Sequence, residues 1–456
     1  MAGDGTGHQM PDVMKRLKTG TFFGLILQGG VGLLSIAVAG ILARMLDAVE
    51  LGIFFLCITL VRFVAILTGF GLSEGIQKFV GISFENGNWA ETRSVLKKTA
   101  WLFTVSTVIV SISFMLLWPY LVTGMLDDAL SLAMGMIVIG LIVFRALEQI
   151  GAAYFRAIQK QILGLFFLGT PRELLFVVTL LVAWFMSGSL NLQNALVLYF
   201  SGGILITIAL ALIFRRTLYG HATADENKTG ISIGDYASFC WPVVLHLSLV
   251  TLFNSVDMWV LGIYREMEDV SLYGAALRLV ILIPFTLHVI NLVLPSMVAA
   301  LSHRGKIKQL SLLARTASTW SFLLGGFICL VFILFGDLIL QLVYGPAFEE
   351  GLYVLIILAI GQVINATCGS PGVVLQMTGH QALLMRITLL TTTINIIFNV
   401  LVVERYGAVG VASVTAFSLF IQNVASTYYA YKKVGVVTVP HPGMLRPKFV
   451  KHLFRR

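Results

Sequence analysis

Charged residues are scarce in this sequence of 456 residues. Asp, Glu, Lys and Arg together make up 12% of it, whereas hydrophobic residues make up 58%. A soluble domain carries about 25% charged residues, so this chain has too few to cover a surface that faces water. The composition excludes an ordinary soluble domain and predicts an all-α polytopic membrane protein.

The sequence also lacks the motifs of metal, nucleotide and thiol chemistry. Its four cysteines each lie in an apolar run, and it contains no CxxC pair and no His/Cys cluster with zinc spacing. It contains no GxxxxGK[ST] loop and no HExxH motif. We therefore expect no metal site, no cofactor and no direct use of ATP. We also expect no enzymatic activity, because the predicted outer loops are too short to carry catalytic groups.

Long apolar runs are what the chain does contain. A membrane-spanning helix needs about 20 consecutive apolar residues. By this criterion the sequence predicts 12 transmembrane helices, over 20–42, 51–71, 99–121, 129–150, 163–187, 193–214, 237–263, 271–299, 314–336, 351–376, 382–403 and 408–430.

The Lys and Arg residues predict the orientation of these helices. If the N-terminus is inside, the inner segments hold 24 of the 31 Lys and Arg residues, and the outer loops hold only Arg44, Arg265 and Arg405. Positive residues concentrate on the cytoplasmic side of membrane proteins. We therefore expect both termini to be cytoplasmic, in a bacterial plasma (inner) membrane, and the net charge of +9 does not call for a nucleic-acid partner.

The two halves of the chain repeat weakly. LGIFF at 51–55 aligns with VSLYG at 270–274, and FRAIQKQ at 155–161 aligns with LQMTGHQ at 375–381, at offsets of 219 and 220. A near-constant offset predicts two six-helix bundles with a substrate site between them. The predicted divisions are a cytoplasmic segment 1–19, a bundle 20–216, a linker 217–235, a bundle 236–431 and a basic cytoplasmic tail 432–456.

Two arginines within apolar helices have no acidic residue within four positions. They are Arg62 and Arg278, which lie at nearly equivalent places in the repeat. A charge at the centre of a bilayer costs at least about 2.5–3.5 kcal/mol, so it needs a partner or a wet cavity. Facing each other, the two guanidinium groups would bind phosphate. The alternative is that each reaches lipid headgroups from near a helix end.

Two further arginines lie beside glutamates. Arg145 and Glu148 are three residues apart and share one helical face, which suits either a structural ion pair or a functional role. Arg172 and Glu173 are adjacent and follow Pro171. The proline indicates a broken helix, which is tolerated at membrane depth where it lines a cavity.

A polar group in the second half could bind a cation or a proton. Asp257 lies in the seventh predicted helix, and Asn395 and Asn399 lie four residues apart in the eleventh. The alternative is that these side chains hold helices together by hydrogen bonds.

Several short segments carry a resemblance to a known family. They are LGIF at 51–54, VDMWVLG at 256–262, LYGAALRL at 272–279, IGQVINA at 360–366 and LQMTG at 375–379. In these segments the chain resembles the polysaccharide and lipid-linked oligosaccharide flippases of the MOP superfamily, which are relatives of the MATE exporters.

The resemblance implies a V-shaped pair of bundles that works by alternating access. The implied cargo is a polyprenyl-diphosphate-linked oligosaccharide, with the diphosphate held by Arg62 and Arg278. Our own hypothesis adds Arg145 and Arg172 to the residues that bind the diphosphate. The resemblance also implies a cation site that Asp257, Asn395 and Asn399 would form. The charges within apolar helices add Glu173 and Glu148 as candidates for coupling to H⁺ or Na⁺. The chain ends after twelve predicted helices, which is similar to the O-antigen or exopolysaccharide type.

Other functions remain open at this stage. A MATE-type antiporter of drugs or metabolites would share the fold, but its cavity should be acidic or aromatic. A polysaccharide polymerase or ligase, or a scaffold in an assembly complex, is also conceivable. The expected partners are the lipid-linked substrate, membrane lipids and other polysaccharide assembly proteins.

Overall fold

The protein is helical throughout the part of the chain that the structure describes. A computed structural model describes residues 27, 29–125, 132–219, 231–291 and 294–441. Within these ranges there is no strand, and nine helices are long and apolar enough to cross a membrane. This confirms the predicted fold class. The predicted segment 1–19 and most of the predicted tail and linker lie outside the described residues.

The first half of the chain forms eight helices, of which α3 and α6 are short. Their bounds are α1 Gly29–Met45, α2 Ala48–Gly69, α3 Leu72–Glu85, α4 Trp89–Met125, α5 Leu132–Ala157, α6 Gln161–Phe167, α7 Thr170–Ser187 and α8 Leu192–Tyr219.

The second half forms nine helices and a 3₁₀ turn at Pro346–Gly351. Their bounds are α9 Ile233–Phe253, α10 Val256–Tyr264, α11 Met267–Val280, α12 Phe285–Ile290, α13 Leu294–His303, α14 Ile307–Tyr344, α15 Leu352–Cys368, α16 Pro371–Met377 and α17 Gln381–Val434.

The longest of these helices, α17, is a hairpin of two helices. Gly407 interrupts it with φ 53° and ψ −143°. Hydrogen bonds then join the two arms, from Asn395 to Ser418 (3.4 Å) and from Gln422 to Thr388 (3.4 Å). The helices account for the 12 predicted spans. Nine helices of the described residues are long and apolar enough to cross a membrane, and counting the two arms of α17 separately makes ten. The 17-residue α1 and the broken run α11–α13 supply the other two.

The predicted span 163–187 is divided between α6 and α7, where Pro171 predicted a break, and three further predicted spans are not continuous helices. The span 237–263 is broken between α9 and α10, 271–299 is broken on both sides of α12, and 351–376 is broken between α15 and α16. Pro284 and Pro371 begin new helices, where a missing N–H is tolerated, and Gly369 has φ 75°. Hydropathy alone averages over such breaks, so the predicted continuity was wrong.

The spacing of the helices repeats between the halves. α4 begins at residue 89 and α14 at residue 307, which is 218 positions later, and α14 ends at residue 344, which is 219 positions after α4 ends at 125. α3 and α13 occupy equivalent places between spans. α3 lies between the predicted spans 51–71 and 99–121, so the connection between these spans is itself largely helical.

The two halves meet closely along α2 and α11. A Cβ atom added to Gly52 would lie 2.2 Å from the carbonyl oxygen of Met267, and one added to Gly274 would lie 2.2 Å from the ring of Phe55. Only glycine allows two helices to approach this closely. We call this pair of contacts the α2/α11 joint.

A second joint between the halves lies beyond the other end of α2. Gly71 packs against the backbone of Cys240 in α9, and Gly75 packs against the ring of Tyr236. The Tyr236 hydroxyl and Thr99 in α4 are hydrogen-bonded at 2.9 Å. The segment of α2 from 58 to 66 lies between the two joints.

The chain after α17 packs along α14. The backbone N–H of Val437 donates to Ser311 (3.2 Å), and that of His441 donates to Thr319 (3.3 Å). Val436 and Thr438 are fully buried. The predicted basic tail therefore begins with two lysines still in the helix and continues as a packed segment up to residue 441.

Candidate functional site

A cavity of about 370 Å³ lies between the two joints, where both halves contribute its walls. Three of its lining residues are arginines and none is acidic. α1, α2 and α5 supply Ser35, Ile58, Thr59, Arg62, Ile66, Arg145 and Gln149; the region from α9 to α11 supplies Thr251, Asn254, Ser255, Met258, Leu277, Arg278 and Ile281.

Arg62 projects from α2 into this cavity. The side chain is exposed, and it forms no ion pair or hydrogen bond with any residue that the structure describes. Its helix is otherwise strongly apolar and largely buried. A guanidinium in this position carries five donors that are available to a ligand.

Arg278 enters the cavity from α11, opposite α2. Its Nη1 donates to the carbonyl oxygen of Gly274 (2.8 Å), and its guanidinium carbon lies 3.5 Å from the centroid of the Phe55 ring. Arginine stacks favourably on an aromatic face. The described residues supply no carboxylate within ion-pair distance of Arg278.

Arg145 also lines the cavity, but it shares a glutamate with Arg172. Arg145 Nη1 lies 3.2 Å from Glu148 Oε2, which confirms the predicted pairing along one face of α5. Arg172 Nη1 approaches the same oxygen at 2.9 Å. Glu148 is fully buried, and its Oε1 has no hydrogen-bond partner among the residues that the structure describes.

Arg172 does not line the cavity with the other three arginines. Besides Glu148 it contacts Glu173 at 3.5 Å, and Glu173 accepts a hydrogen bond from the Tyr199 hydroxyl (3.3 Å). Sequence adjacency alone did not indicate that Glu148 would be the closer partner. The expected break is present: α6 ends at Phe167, and Pro171 lies in the first turn of α7.

The charges beside the cavity therefore fall into two groups. Arg145, Arg172, Glu148 and Glu173 form a buried network whose charges balance, which we call the α5/α7 network. Arg62 and Arg278 are not balanced by any described carboxylate within 4.0 Å. Their positive charge is what the cavity offers to a ligand.

A second polar centre lies in the second half, where Asp257 is buried. Its Oδ1 accepts from Asn399 (2.9 Å) and its Oδ2 from the Tyr273 hydroxyl (2.9 Å). Asn399 also donates to Asn395 (3.1 Å), and Tyr273 contacts Thr415 (3.3 Å). The three residues predicted as a group from the sequence therefore lie together.

This centre has the chemistry of a site for a hard cation or a proton. It offers one carboxylate together with amide and hydroxyl oxygens, which are ligands that Na⁺ and similar ions accept. The buried Asn399 Oδ1 accepts no hydrogen bond from the described part of the chain. No group of three or more His, Cys, Asp or Glu residues that could hold a metal occurs in the described ranges.

Sequence reasoning did not select several residues of these sites. They are Phe55, Gln149, Tyr273 and Thr415. Asn254, which the sequence places one turn before Asp257, lines the cavity at the break after α9 and does not contact Asp257. Tyr273 and Gln149 could have been found as polar residues within apolar runs. Phe55 could not, because a phenylalanine in an apolar helix is unremarkable.

A sequence motif of hydrolases is present, but it does not have the structural context that it has in those enzymes. Residues 71–75 read GLSEG, which matches GxSxG. In hydrolases this motif turns sharply from a strand into a helix. Here Gly71 joins two helices, and Gly75 is packed against Tyr236.

The repeated helical halves and the cavity between them are typical of a membrane transporter, and matches to two protein families place the chain in the MOP superfamily. Residues 17–300 match the family described as polysaccharide biosynthesis protein, and residues 242–401 match the MatE family. The first match covers more than half of the chain. The chain belongs to the polysaccharide biosynthesis protein family.

The chain is also similar to individual proteins. The chain is 26% identical, over 402 residues, to a probable low-salt glycan biosynthesis flippase of Haloferax volcanii; the match covers 86% of this chain and 79% of that protein. Its fold is similar to an inward-facing MATE family multidrug resistance transporter (TM-score 0.72, 13% identity, 89% and 94% of the two chains). It is also similar to the lipid II flippase MurJ in an inward closed conformation (TM-score 0.68, 14% identity, 95% and 91%).

Proposed function

We propose that this protein moves a polyprenyl-diphosphate-linked oligosaccharide from the inner to the outer leaflet of the plasma membrane, for the synthesis of a cell-surface polysaccharide. The observation that carries this proposal is the pair Arg62 and Arg278. They come from different halves of the chain, line one cavity, and lack carboxylate partners among the described residues.

The physical argument rests on the cost of these charges. An unpaired arginine at membrane depth is unfavourable, so two of them in one cavity favour an anionic ligand. A diphosphate suits them because its oxygens match the planar fork of a guanidinium. Arg145 can join them by exchanging its contact with Glu148 for a contact with phosphate. Arg172 has the α5/α7 network as its environment, so we assign it a structural role.

The position of the cavity suits alternating access. Opening one joint while the other stays closed would expose the cavity to one side of the membrane and then to the other. If both termini are cytoplasmic, as the Lys and Arg residues in the loops predict, the α2/α11 joint lies at the outer ends of α2 and α11. The polyprenyl tail would remain in the lipid and leave the cavity between the halves.

The Asp257 centre would couple this cycle to an ion. A proton or Na⁺ that binds Asp257 only in one conformation shifts the balance between conformations. Asn395 and Asn399 would orient the carboxylate or supply an oxygen. Glu148 and Glu173 are weaker candidates, because arginines already engage both of them.

A MATE-type antiporter of drugs or metabolites is the second candidate. The match of residues 242–401 to the MatE family and the fold similarity favour it. The arginine-lined cavity argues against it for cationic drugs, since like charges repel. Other polysaccharide assembly proteins are the partners that the flippase proposal implies.

The deciding experiment is a flipping assay in proteoliposomes with a fluorescent polyprenyl-diphosphate glycolipid. Losing one charge-assisted contact costs about 1.5–3 kcal/mol, which corresponds to a loss of about 10-fold or more. We therefore expect Arg62→Ala and Arg278→Ala each to reduce the flipping rate about 10-fold or more, and Arg278→Lys to recover it in part.

The matched control is Arg386→Ala, which removes an exposed arginine from α17 outside the cavity. Undiminished flipping by well-folded Arg62→Ala and Arg278→Ala variants would contradict the diphosphate site. Transport of cationic dyes by the unchanged protein, without flipping of the glycolipid, would instead support the antiporter.

A further inference from the structure

A second cavity in the second half of the protein, of about 220 Å³, adjoins the first. It lies among α9, α15, α16 and α17, and Asn254 lines both cavities. Six of its twelve lining residues carry an amide or a hydroxyl group and none carries a charge. The polar set is Asn254, Asn365, Thr388, Gln422, Asn423 and Ser426.

The four amides of this cavity are only partly used by the protein. Each donates one hydrogen bond through its side-chain nitrogen, to Val250 O, Gln362 Oε1, Thr388 Oγ1 and Leu419 O respectively. No described residue donates to any of the four amide oxygens. Every amide therefore retains an acceptor and a second N–H for a ligand.

Such a lining selects a particular chemistry. Free donors and acceptors side by side match hydroxyl groups, which both donate and accept. The lack of charge disfavours a phosphate or a metal ion. Apolar side chains, including Phe253 and Leu419, complete the walls and offer contacts for the C–H face of a ring. The volume admits about one sugar ring and is too small for an oligosaccharide.

We infer that this cavity is a subsite for an uncharged sugar residue of the lipid-linked cargo. This inference rests on the proposed function, since the arginine cavity would hold the diphosphate while the neutral cavity holds a sugar near it. Asn254, at the break between α9 and α10, lies at the boundary of the two subsites. The arginines would then bind the diphosphate of the lipid carrier, and the amides would bind the sugar that is attached to it.

Binding to the purified full-length protein tests this subsite without requiring transport. The two probes are polyprenyl diphosphate carrying a neutral disaccharide and the same lipid without sugar, compared by native mass spectrometry. The unchanged protein should bind the glycosylated lipid more tightly. Asn365→Leu and Gln422→Leu should each weaken its binding about 5-fold, and leave binding of the bare lipid within about 2-fold.

Gln193→Leu is the matched control, because Gln193 is an exposed amide on α8. Asn423→Asp adds a near-isosteric variant in case the leucine variants fold poorly, and it should lower binding of the glycosylated lipid alone. Equal binding of the two lipids by the unchanged protein, or a sugar preference that survives in all three variants, would overturn the subsite.

Flipping of the same two lipids is measured separately. A protein that keeps the amide-dependent sugar preference but flips neither lipid would refute the proposed transport and leave the subsite standing. Flipping of both lipids at rates that the amide variants do not alter, together with unaltered binding, would refute the subsite alone.

Discussion

Asn399 donates a hydrogen bond to Asp257 at 2.9 Å, although the two residues are 142 positions apart. Tyr273 occupies the other carboxylate oxygen. All the described partners of Asp257 are neutral, so its negative charge is not compensated by protein. A buried carboxylate in such surroundings either takes up a proton or holds a cation. The Asp257 centre thus has two chemical states that an ion gradient could select.

Replacing Asp257 with asparagine should uncouple transport from this gradient. The amide preserves the shape and still accepts from Asn399, so the fold should be retained. We expect the flipping rate in proteoliposomes to stop responding to an imposed proton or Na⁺ gradient. Asp337→Asn, which changes an exposed aspartate on α14, should keep the response. A gradient response that persists in Asp257→Asn would rule out coupling at this centre.

Replacing Glu148 with glutamine should destabilise the protein. The change leaves Arg145 and Arg172 with Glu173 as the only acid of the α5/α7 network. Removing one partner of a buried ion pair typically costs about 3–5 kcal/mol. We expect a clear fall in the temperature at which detergent-solubilised protein ceases to be monodisperse.

The double variant Glu148→Gln/Arg172→Gln gives the matching control. It removes the negative and the positive charge together, so the stability should recover in part if the two groups interact. Additive losses in the double variant would show that Glu148 and Arg172 act independently, contrary to their 2.9 Å contact.

Replacing Gly52 with alanine should open the α2/α11 joint. The new Cβ atom would lie 2.2 Å from the carbonyl oxygen of Met267, so the helices must separate. We expect Thr59→Cys, in the cavity, to react several-fold faster with a membrane-impermeant maleimide added outside. The described native cysteines are all buried, which keeps the background low.

Gly326→Ala is the control for the joint, since no atom lies within 4 Å of the position of its Cβ. Unchanged labelling of Thr59→Cys in a folded Gly52→Ala protein would mean that this joint does not limit access from outside.

Replacing Gly407 with alanine should weaken the hairpin of α17. A backbone at φ 53° and ψ −143° is accessible mainly to glycine, and strain of this kind costs about 1–3 kcal/mol. The added Cβ would also lie 3.4 Å from the paired Arg265 and Asp269 side chains. Thermal stability in detergent should fall, whereas Gly202→Ala, at a position with ordinary contacts, should leave it unchanged.

The charged residues of the sites could be predicted because charge in an apolar helix is rare and costly. This rule selected Arg62, Arg145 and Arg278, which meet in one cavity, and Asp257, which meets Asn399. The internal repeat likewise predicted the spacing of α4 and α14. These signals come from composition and offset, which do not depend on knowing any contact.

The contacts themselves could not be predicted from spacing. Arg172 seemed free to face the cavity, yet it turns to Glu148, 24 positions earlier. The breaks at Asn254 and Gly369 were missed because a window of about 20 residues averages the polar residues around them with the apolar residues on either side. The neutral second cavity could not be predicted either, since its four amides come from three separate stretches of chain.

The stacking of Arg278 on Phe55 has a thermodynamic consequence. Phe55 belongs to α2 and fits against Gly274 of α11, so this stack exists only while the α2/α11 joint is closed. In the proposed cycle, the environment of the Arg278 guanidinium would therefore differ between the closed and the open joint. Binding of an anion and opening of the joint are then linked equilibria. An anion that binds Arg278 more strongly when Phe55 is not stacked on it must favour opening of the α2/α11 joint by the same factor. Binding of the cargo and opening of the α2/α11 joint would then be linked through the ring of Phe55.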